Sequence, residues 1–147
     1  MTAPTTPPIS LPRNSMPASS APFFDHEKLE VYRESIALVA WLNGFFEQTP
    51  RAGEIRDQLE RASSSISLNI TEGNGKFASK DRCRYFDIAH SSALECTAAM
   101  DVLVARKRTT TDTIRPAKES LVKIVRMLIG LIKRHSNRDY DKNPETQ

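Results

Sequence analysis

Apolar residues recur every three or four positions along four successive segments of this chain, and this helical period constrains the fold more than any other feature. The second segment shows the repeat most simply, at Ile55, Leu59, Ala62, Ile66 and Ile70. The fourth segment shows it at Ile114, Ala117, Leu121, Ile124, Leu128 and Leu131. No stretch alternates apolar and polar residues for long enough to predict a strand. Since short links join antiparallel neighbours, the pattern predicts an all-α, up-down-up-down four-helix bundle.

Breaks in the period set the bounds of the predicted helices. We expect a bundle over residues 26–135, with helices at about 26–48, 52–73, 79–107 and 112–134. The run Gly73, Asn74 and Gly75 is expected to end the second helix, because glycine accepts the left-handed backbone of a helix C-cap. Pro116 is expected in the first turn of the fourth helix, where its missing N–H costs little.

The two ends of the chain differ in composition from the periodic segments. Residues 1–25 contain six of the nine prolines and few apolar side chains. Proline removes backbone donors and blocks helix, and so few apolar side chains cannot offset the entropy lost on ordering. We therefore predict a disordered arm over residues 1–25 and a polar, frayed tail over residues 136–147.

The first predicted helix has more apolar surface than one core-facing stripe requires. Beside a stripe that includes Leu29, Tyr32 and Ile36 runs a second one, formed by Val31, Leu38, Leu42 and Phe45. A second copy of the chain would cover that second stripe. We therefore predict a homo-oligomer with these four residues at its interface; a monomer with a wide core is the alternative.

Cysteine content and hydropathy bear on the compartment. Cys83 and Cys96 fall on the same predicted helix, about 20 Å apart along its axis, which is too far for a disulfide. Two unpaired thiols suit a reducing compartment. No apolar run approaches the ~18–20 residues that a membrane span requires, so no membrane contact is expected.

Basic residues gather near two of the predicted links, although the net charge is only +3. The first basic cluster, at the second link, contains Lys76, Lys80, Arg82 and Arg84. The second basic cluster, at the third link, contains Arg106, Lys107 and Arg108. Two further bases, Lys118 and Lys123, lie on the fourth helix. In an antiparallel bundle the second and third links lie at opposite ends. Repetition around an oligomer would strengthen each cluster and permit weak contact with the phosphate backbone of RNA or DNA. The alternative is an oligomeric adaptor that contacts another protein through its apolar outer face or its N-terminal arm.

Residue patterns typical of enzymes are weak in this sequence. The step from Asp87 to His90 gives one carboxylate and one imidazole, whereas a di-iron bundle needs two such helices and further glutamates. The serines at 63–65 have no nearby histidine to activate them. We therefore expect no catalytic residue, no metal site, no cofactor and no enzymatic activity.

A polar motif runs along the second helix and into the third. Arg61, Ser65, Asn69 and Glu72 share one face of the second helix, and Glu95 lies on the next helix beside Ser92. We expect these residues, with Gly73, to form a paired polar stripe that fixes helix register rather than performs chemistry. Arg61 is expected to meet Glu95 or Glu72. Asn69 is expected to satisfy a backbone group where the second helix ends.

The motif resembles one that is known from a family. Arg61, Ala62, Ser65, Ile66, Asn69, Ile70, Glu72 and Gly73, followed by Phe86, Ile88, Ala89, Ser92 and Glu95, match the pattern of the 23S rRNA intervening-sequence protein family, also called S23. The resemblance covers residues 26–134. It implies a small cytoplasmic bacterial four-helix bundle, often a ring-shaped homopentamer, and it does not imply an enzyme. The family is also similar to the accessory protein of diversity-generating retroelements, a basic pentamer linked to nucleic acid.

Overall fold

The computed structural model of the protein describes residues 22–136, which form four long helices and no strand. They are α1 (Glu30–Gln48), α2 (Glu54–Gly75), α3 (Ser79–Ala105) and α4 (Thr111–His135). Each packs against two others: α1 and α3 both contact α2 and α4. The predicted all-α, up-down-up-down bundle is confirmed.

The helix bounds follow the sequence pattern closely, and the largest difference is at the start of α1. Asp25–Lys28 form a short 3-10 helix, and Leu29 then has an extended backbone, so α1 begins only at Glu30. A second 3-10 helix, Pro50–Ala52, precedes α2. Most of the predicted arm (residues 1–21) and nearly all of the predicted tail (137–147) lie outside the described residues.

The helix α2 ends within the predicted stop of Gly73, Asn74 and Gly75, but two residues later than the expected bound at 73 and without a left-handed glycine. The helix continues to Gly75, and the backbone at Gly73 is not left-handed. The glycine is needed for another reason: a Cβ on Gly73 would lie 2.7 Å from Cε1 of Phe86 in α3. Gly73 therefore allows α2 and α3 to approach each other closely.

Two left-handed residues shape the links. Gly53 (φ 60°) directly precedes α2. After α3, Lys107 (φ 58°) closes a Schellman turn, in which the N–H of Arg108 donates to the Leu103 carbonyl and the N–H of Lys107 donates to the Val104 carbonyl, both at 2.9 Å. This turn fixes the backbone of the second basic cluster.

Pro116 lies in the second turn of α4, not in the first as predicted. The helix begins at Thr111, after the hydroxyl of Thr110 accepts a hydrogen bond from the N–H of Thr113 at 3.2 Å. Proline at the sixth helical position removes the N–H that would pair with the Asp112 carbonyl. The side-chain cap offsets part of that loss.

The core of the bundle contains the residues that the sequence assigned to an interface between copies. Val31, Leu38, Leu42 and Phe45 are at most 3% exposed in the single chain. That assignment is corrected: α1 packs against both α2 and α4, so its wide apolar face is covered within one chain. The flanking stripe is the more exposed one, with Ile36 half-buried and Val39 exposed.

Buried polar contacts connect α1 to its two neighbours. The hydroxyls of Ser35 and Ser67 hydrogen-bond each other at 2.8 Å between α1 and α2. The hydroxyl of Ser120 in α4 donates to Glu34 of α1 at 2.9 Å. Every buried side-chain polar atom of the described residues has a partner. Such pairs favour one register of the helices, because a shift would leave buried hydroxyls unsatisfied.

None of the helices within residues 22–136 is both long and apolar enough to cross a lipid bilayer.

Candidate functional site

The polar motif of α2 is partly paired, and the pairing links α2 to α3. The hydroxyls of Ser65 and Ser92 hydrogen-bond each other at 2.8 Å. The amide of Asn69 donates to the carbonyl of Ser65 at 2.8 Å and to its hydroxyl at 3.0 Å. Asn69 therefore supports the Ser65–Ser92 contact from one turn away. This differs from the sequence-based expectation, in which Asn69 would hydrogen-bond a backbone group at the end of α2.

The charged members of the motif do not form the expected pairs. Glu72 lies 3.8 Å from Lys76, one turn further along α2, and not beside Arg61. Arg61 and Glu95 are both exposed, and neither forms an ion pair or side-chain hydrogen bond within residues 22–136. Two opposite charges are thus left without partners on the outer surface of α2 and α3.

A shallow, open groove lies along the outer side of α2 and is lined by residues of that helix alone. Its lining includes Arg61, Ser65 and Asn69 from the motif, together with Leu68, which is 65% exposed. The groove has no histidine or cysteine in its lining. It therefore offers an apolar side chain among polar ones, but no nucleophile and base in contact.

The first basic cluster surrounds the link between α2 and α3, and its members have different roles. Arg82 closes the link: its guanidinium donates to the carbonyls of Lys76 at 2.7 Å and Asn74 at 3.0 Å. The Lys76 ammonium lies 5.2 Å from the ring centre of Tyr85, and the Arg84 guanidinium lies 6.0 Å from it. Lys80 and Arg84 are exposed. Lys76, Lys80 and Arg84 are thus the bases that can reach a ligand.

The second basic cluster lies at the opposite end of the bundle. Arg106, Lys107 and Arg108 follow α3, whose 27 residues span about 40 Å. No side chain of the three forms an ion pair or hydrogen bond with any residue from 22 to 136. These three consecutive cations are held on the Schellman turn with no acidic partner.

The two predicted bases of α4 differ from each other. The ammonium of Lys118 is 2.6 Å from the Asp101 carboxylate, so its charge is already paired. Lys123 is exposed. The nine predicted contact residues therefore form no single patch in one chain: they divide between two ends and one helix face.

Groups capable of chemistry are few and separate. Cys83 and Cys96 are free and buried, and burial, with the nearby Glu95 charge second, raises the pKa of the Cys96 thiol to about 12. Burial also lowers the pKa of His135, with Arg82 and Arg134 acting in the same direction. Across residues 22–136, no three His, Cys, Asp or Glu side chains come together as metal ligands would. Both thiols are buried, so neither is accessible to a substrate in this structure.

The fold and these surfaces define a class of protein: a small four-helix bundle with a serine-linked polar motif across two helices and unpaired bases at its ends. The chain belongs to the 23S rRNA-intervening sequence protein family, whose sequence profile matches residues 27–130. The family predicted from the motif is thereby confirmed.

A solved structure has the same fold. It is a protein with unknown function from the S23 ribosomal protein family of Bacteroides thetaiotaomicron, 21% identical in sequence, with a TM-score of 0.64. The match covers 70% of this chain and 98% of that chain. At this identity the likeness shows the fold alone. A comparison with curated proteins gives no match.

Proposed function

We propose that this protein is a non-enzymatic homo-oligomer that binds RNA or DNA weakly through the phosphate backbone. The observation that supports binding is the cluster Arg106, Lys107 and Arg108, in which three consecutive cations have no acidic partner among the described residues. Five other bases of residues 22–136 are paired with carboxylates: Lys28, Arg56, Lys76, Arg115 and Lys118. Unpaired bases gain more from a phosphate because they give up no existing ion pair.

Backbone binding of this kind has a clear physical signature. Each phosphate that a cation neutralises releases condensed counterions, so affinity falls steeply as salt rises. In a ring of copies each basic cluster recurs around the ring axis. The positive potential near the clusters is then stronger than the net charge of +3 per chain suggests. Since both cysteines are free, we place this function in the reducing cytoplasm.

Replacing Arg106, Lys107 and Arg108 together by alanine is expected to weaken binding of a DNA duplex of about 20 base pairs. The slope of log K against log salt should become shallower by about two to three units, since up to three phosphate contacts are lost. The measurement is fluorescence anisotropy of a labelled duplex between about 50 mM and about 200 mM salt.

The control removes the same charge from paired bases. Arg56→Ala, Arg115→Ala and Lys118→Ala together also delete three positive charges, each from an ion pair. A smaller loss in this control would assign the effect to the cluster. Equal losses in both variants would show only a response to net charge, and no loss in the first would exclude the cluster from the site.

Self-association is the second part of the proposal, and we assign it to the outer face of α2 and α3. Exposed Leu68 lies within one turn of Ser65, and Ile88 within one turn of Ser92. The same face presents Arg61 and Glu95, opposite charges without partners in the described part of the chain. A surface with both an apolar side chain and both signs of charge is complementary to another copy of itself. Five copies is the number that the family resemblance suggests.

Leu68→Asp is expected to reduce the mass measured by light scattering toward the 16.5 kDa of one chain, with helix content unchanged. The substitution places a charge on the proposed contact without touching the core. The matched control is Leu94→Asp on α3, which is also exposed but lies two residues from Ser92 and so faces elsewhere. A wild-type mass of one chain would overturn the oligomer, and an unchanged mass for Leu68→Asp would overturn this interface.

A second candidate function is an oligomeric adaptor for another protein. Exposed Leu94 and Val122 favour it, because they leave apolar surface on α3 and α4 away from the proposed self-contact. An oligomer whose mass does not change with nucleic acid, but which retains a protein partner at high salt, would support the adaptor instead.

A further inference from the structure

Exposed aromatic side chains concentrate at the end of the bundle where α2 joins α3. Among residues 22–136, the exposed phenylalanines are Phe23, Phe24 and Phe77. The amide of Asn74 donates to the carboxylate of Asp25 at 3.1 Å, which brings the segment after Pro22 beside the α2–α3 link. Phe77, on that link, is as exposed as the residue can be, at 103% of its reference. No contact within the bundle accounts for its position.

The same end interleaves aromatic rings with bases. The ring of Tyr85 is half-buried and has the cations of Lys76 and Arg84 within about 6 Å of its centre. Lys80 is exposed one turn before Arg84. Rings beside cations are what proteins present to unpaired nucleotides, because bases stack on the rings and phosphates meet the cations.

Acidic residues at this end include Asp25, Glu72, Asp81 and Asp87, and of the three cations only Lys76 is paired with a carboxylate within residues 22–136. Asp25 is engaged by Asn74 and lies 3.6 Å from Lys28, and hydrogen bonding from Asn74 lowers its pKa. Glu72 lies 3.8 Å from Lys76. Neither Lys80 nor Arg84 has an ion pair within the described residues. A phosphate approaching Lys80 and Arg84 would therefore displace no ion pair.

We propose that the α2–α3 end binds single-stranded RNA or DNA, with a base stacked on Phe77 and the backbone held by Lys76, Lys80 and Arg84. This rests on the proposed function and names the form of nucleic acid that one end prefers. Bases in a duplex are already stacked on each other and cannot cover Phe77. The Arg106–Arg108 end has no exposed aromatic side chain in the described part of the chain, so it contacts phosphates of either form.

Phe77→Ala tests the stacking directly in the full-length protein. We expect its affinity for a labelled oligouridine of about 15 nucleotides to fall about tenfold, as loss of one base–aromatic stack predicts. Affinity for a duplex of the same length should be unchanged. Fluorescence anisotropy at low salt measures both. Leu94→Ala is the matched control: it removes an exposed apolar side chain from the middle of α3 and should change neither affinity.

Phe77→Trp provides a readout that a merely structural role would not affect. It should retain affinity, and its fluorescence should be quenched by oligouridine beyond the response of Trp41 in the wild type. Unchanged single-strand affinity in Phe77→Ala, or equal losses for single strand and duplex, would overturn the stacking site while leaving backbone binding intact. A smaller oligomer in Phe77→Ala would instead assign the ring to contact between copies. A wild-type protein that binds neither probe would overturn both proposals.

Discussion

Replacing Leu42 with aspartate is expected to unfold the bundle rather than to separate its copies. Leu42 is 1% exposed and lies in the core that α1 forms with its neighbours. The substitution removes a buried leucine, which costs about 2–5 kcal/mol, and buries a carboxyl group with no partner, which costs several more. Since a domain of this kind is stable by only about 5–15 kcal/mol, the helical signal in far-UV circular dichroism should be lost or strongly reduced.

Two further variants make the result decisive. Leu94→Asp introduces the same change at an exposed position of α3 and should leave helix content intact. Leu42→Ala should remain folded, with its free energy of unfolding lowered by about 2–5 kcal/mol in urea titration. A folded Leu42→Asp protein with a reduced oligomer mass would return Leu42 to an interface between copies, as the sequence suggested.

The position of Leu42 shows where sequence reasoning about this fold succeeds and where it stops. The apolar period predicts the four helices, and short links between them predict the antiparallel order. It does not say how many neighbours a helix has. Two apolar stripes on α1 are equally consistent with one wide core or with a core plus an interface. Only the packing of α1 against both α2 and α4 decides between them.

For the candidate sites too, the sequence predicts the placement of the residues but not their contacts. That the two basic clusters lie at opposite ends follows from helix length and order, both readable from the sequence. Which side chains pair does not follow, because pairing depends on the rotation and axial shift of each helix. In the structure Ser65 hydrogen-bonds Ser92, whereas Arg61 and Glu95 have no ion-pair partner among the described residues. The exposed aromatic end was missed, although the adjacent Lys76 and Phe77 in a glycine-containing link gave a usable signal.

Gly73→Ala is expected to destabilise the bundle even though alanine is the better helix former. The added Cβ would lie 2.7 and 2.8 Å from ring atoms of Phe86 and 3.1 Å from the backbone oxygen of Arg82. The Phe86 ring is buried and cannot move aside without disturbing the core. Overpacking of this kind costs about 1–3 kcal/mol, which outweighs the ~1 kcal/mol that helix propensity favours. Urea titration followed by circular dichroism measures the balance.

Gly130→Ala is the control that measures the gain in helix propensity without a steric clash. Gly130 is a helical glycine on the exposed side of α4, and a Cβ there would meet nothing within 4 Å. We expect that variant to gain about 0.5–1 kcal/mol from propensity alone. Adding Phe86→Leu to Gly73→Ala should then cost less than the sum of the two single changes, because the smaller side chain frees the space that the Cβ needs. If Gly73→Ala is instead stabilised as much as Gly130→Ala, α2 and α3 cannot be as close at this point as the structure has them.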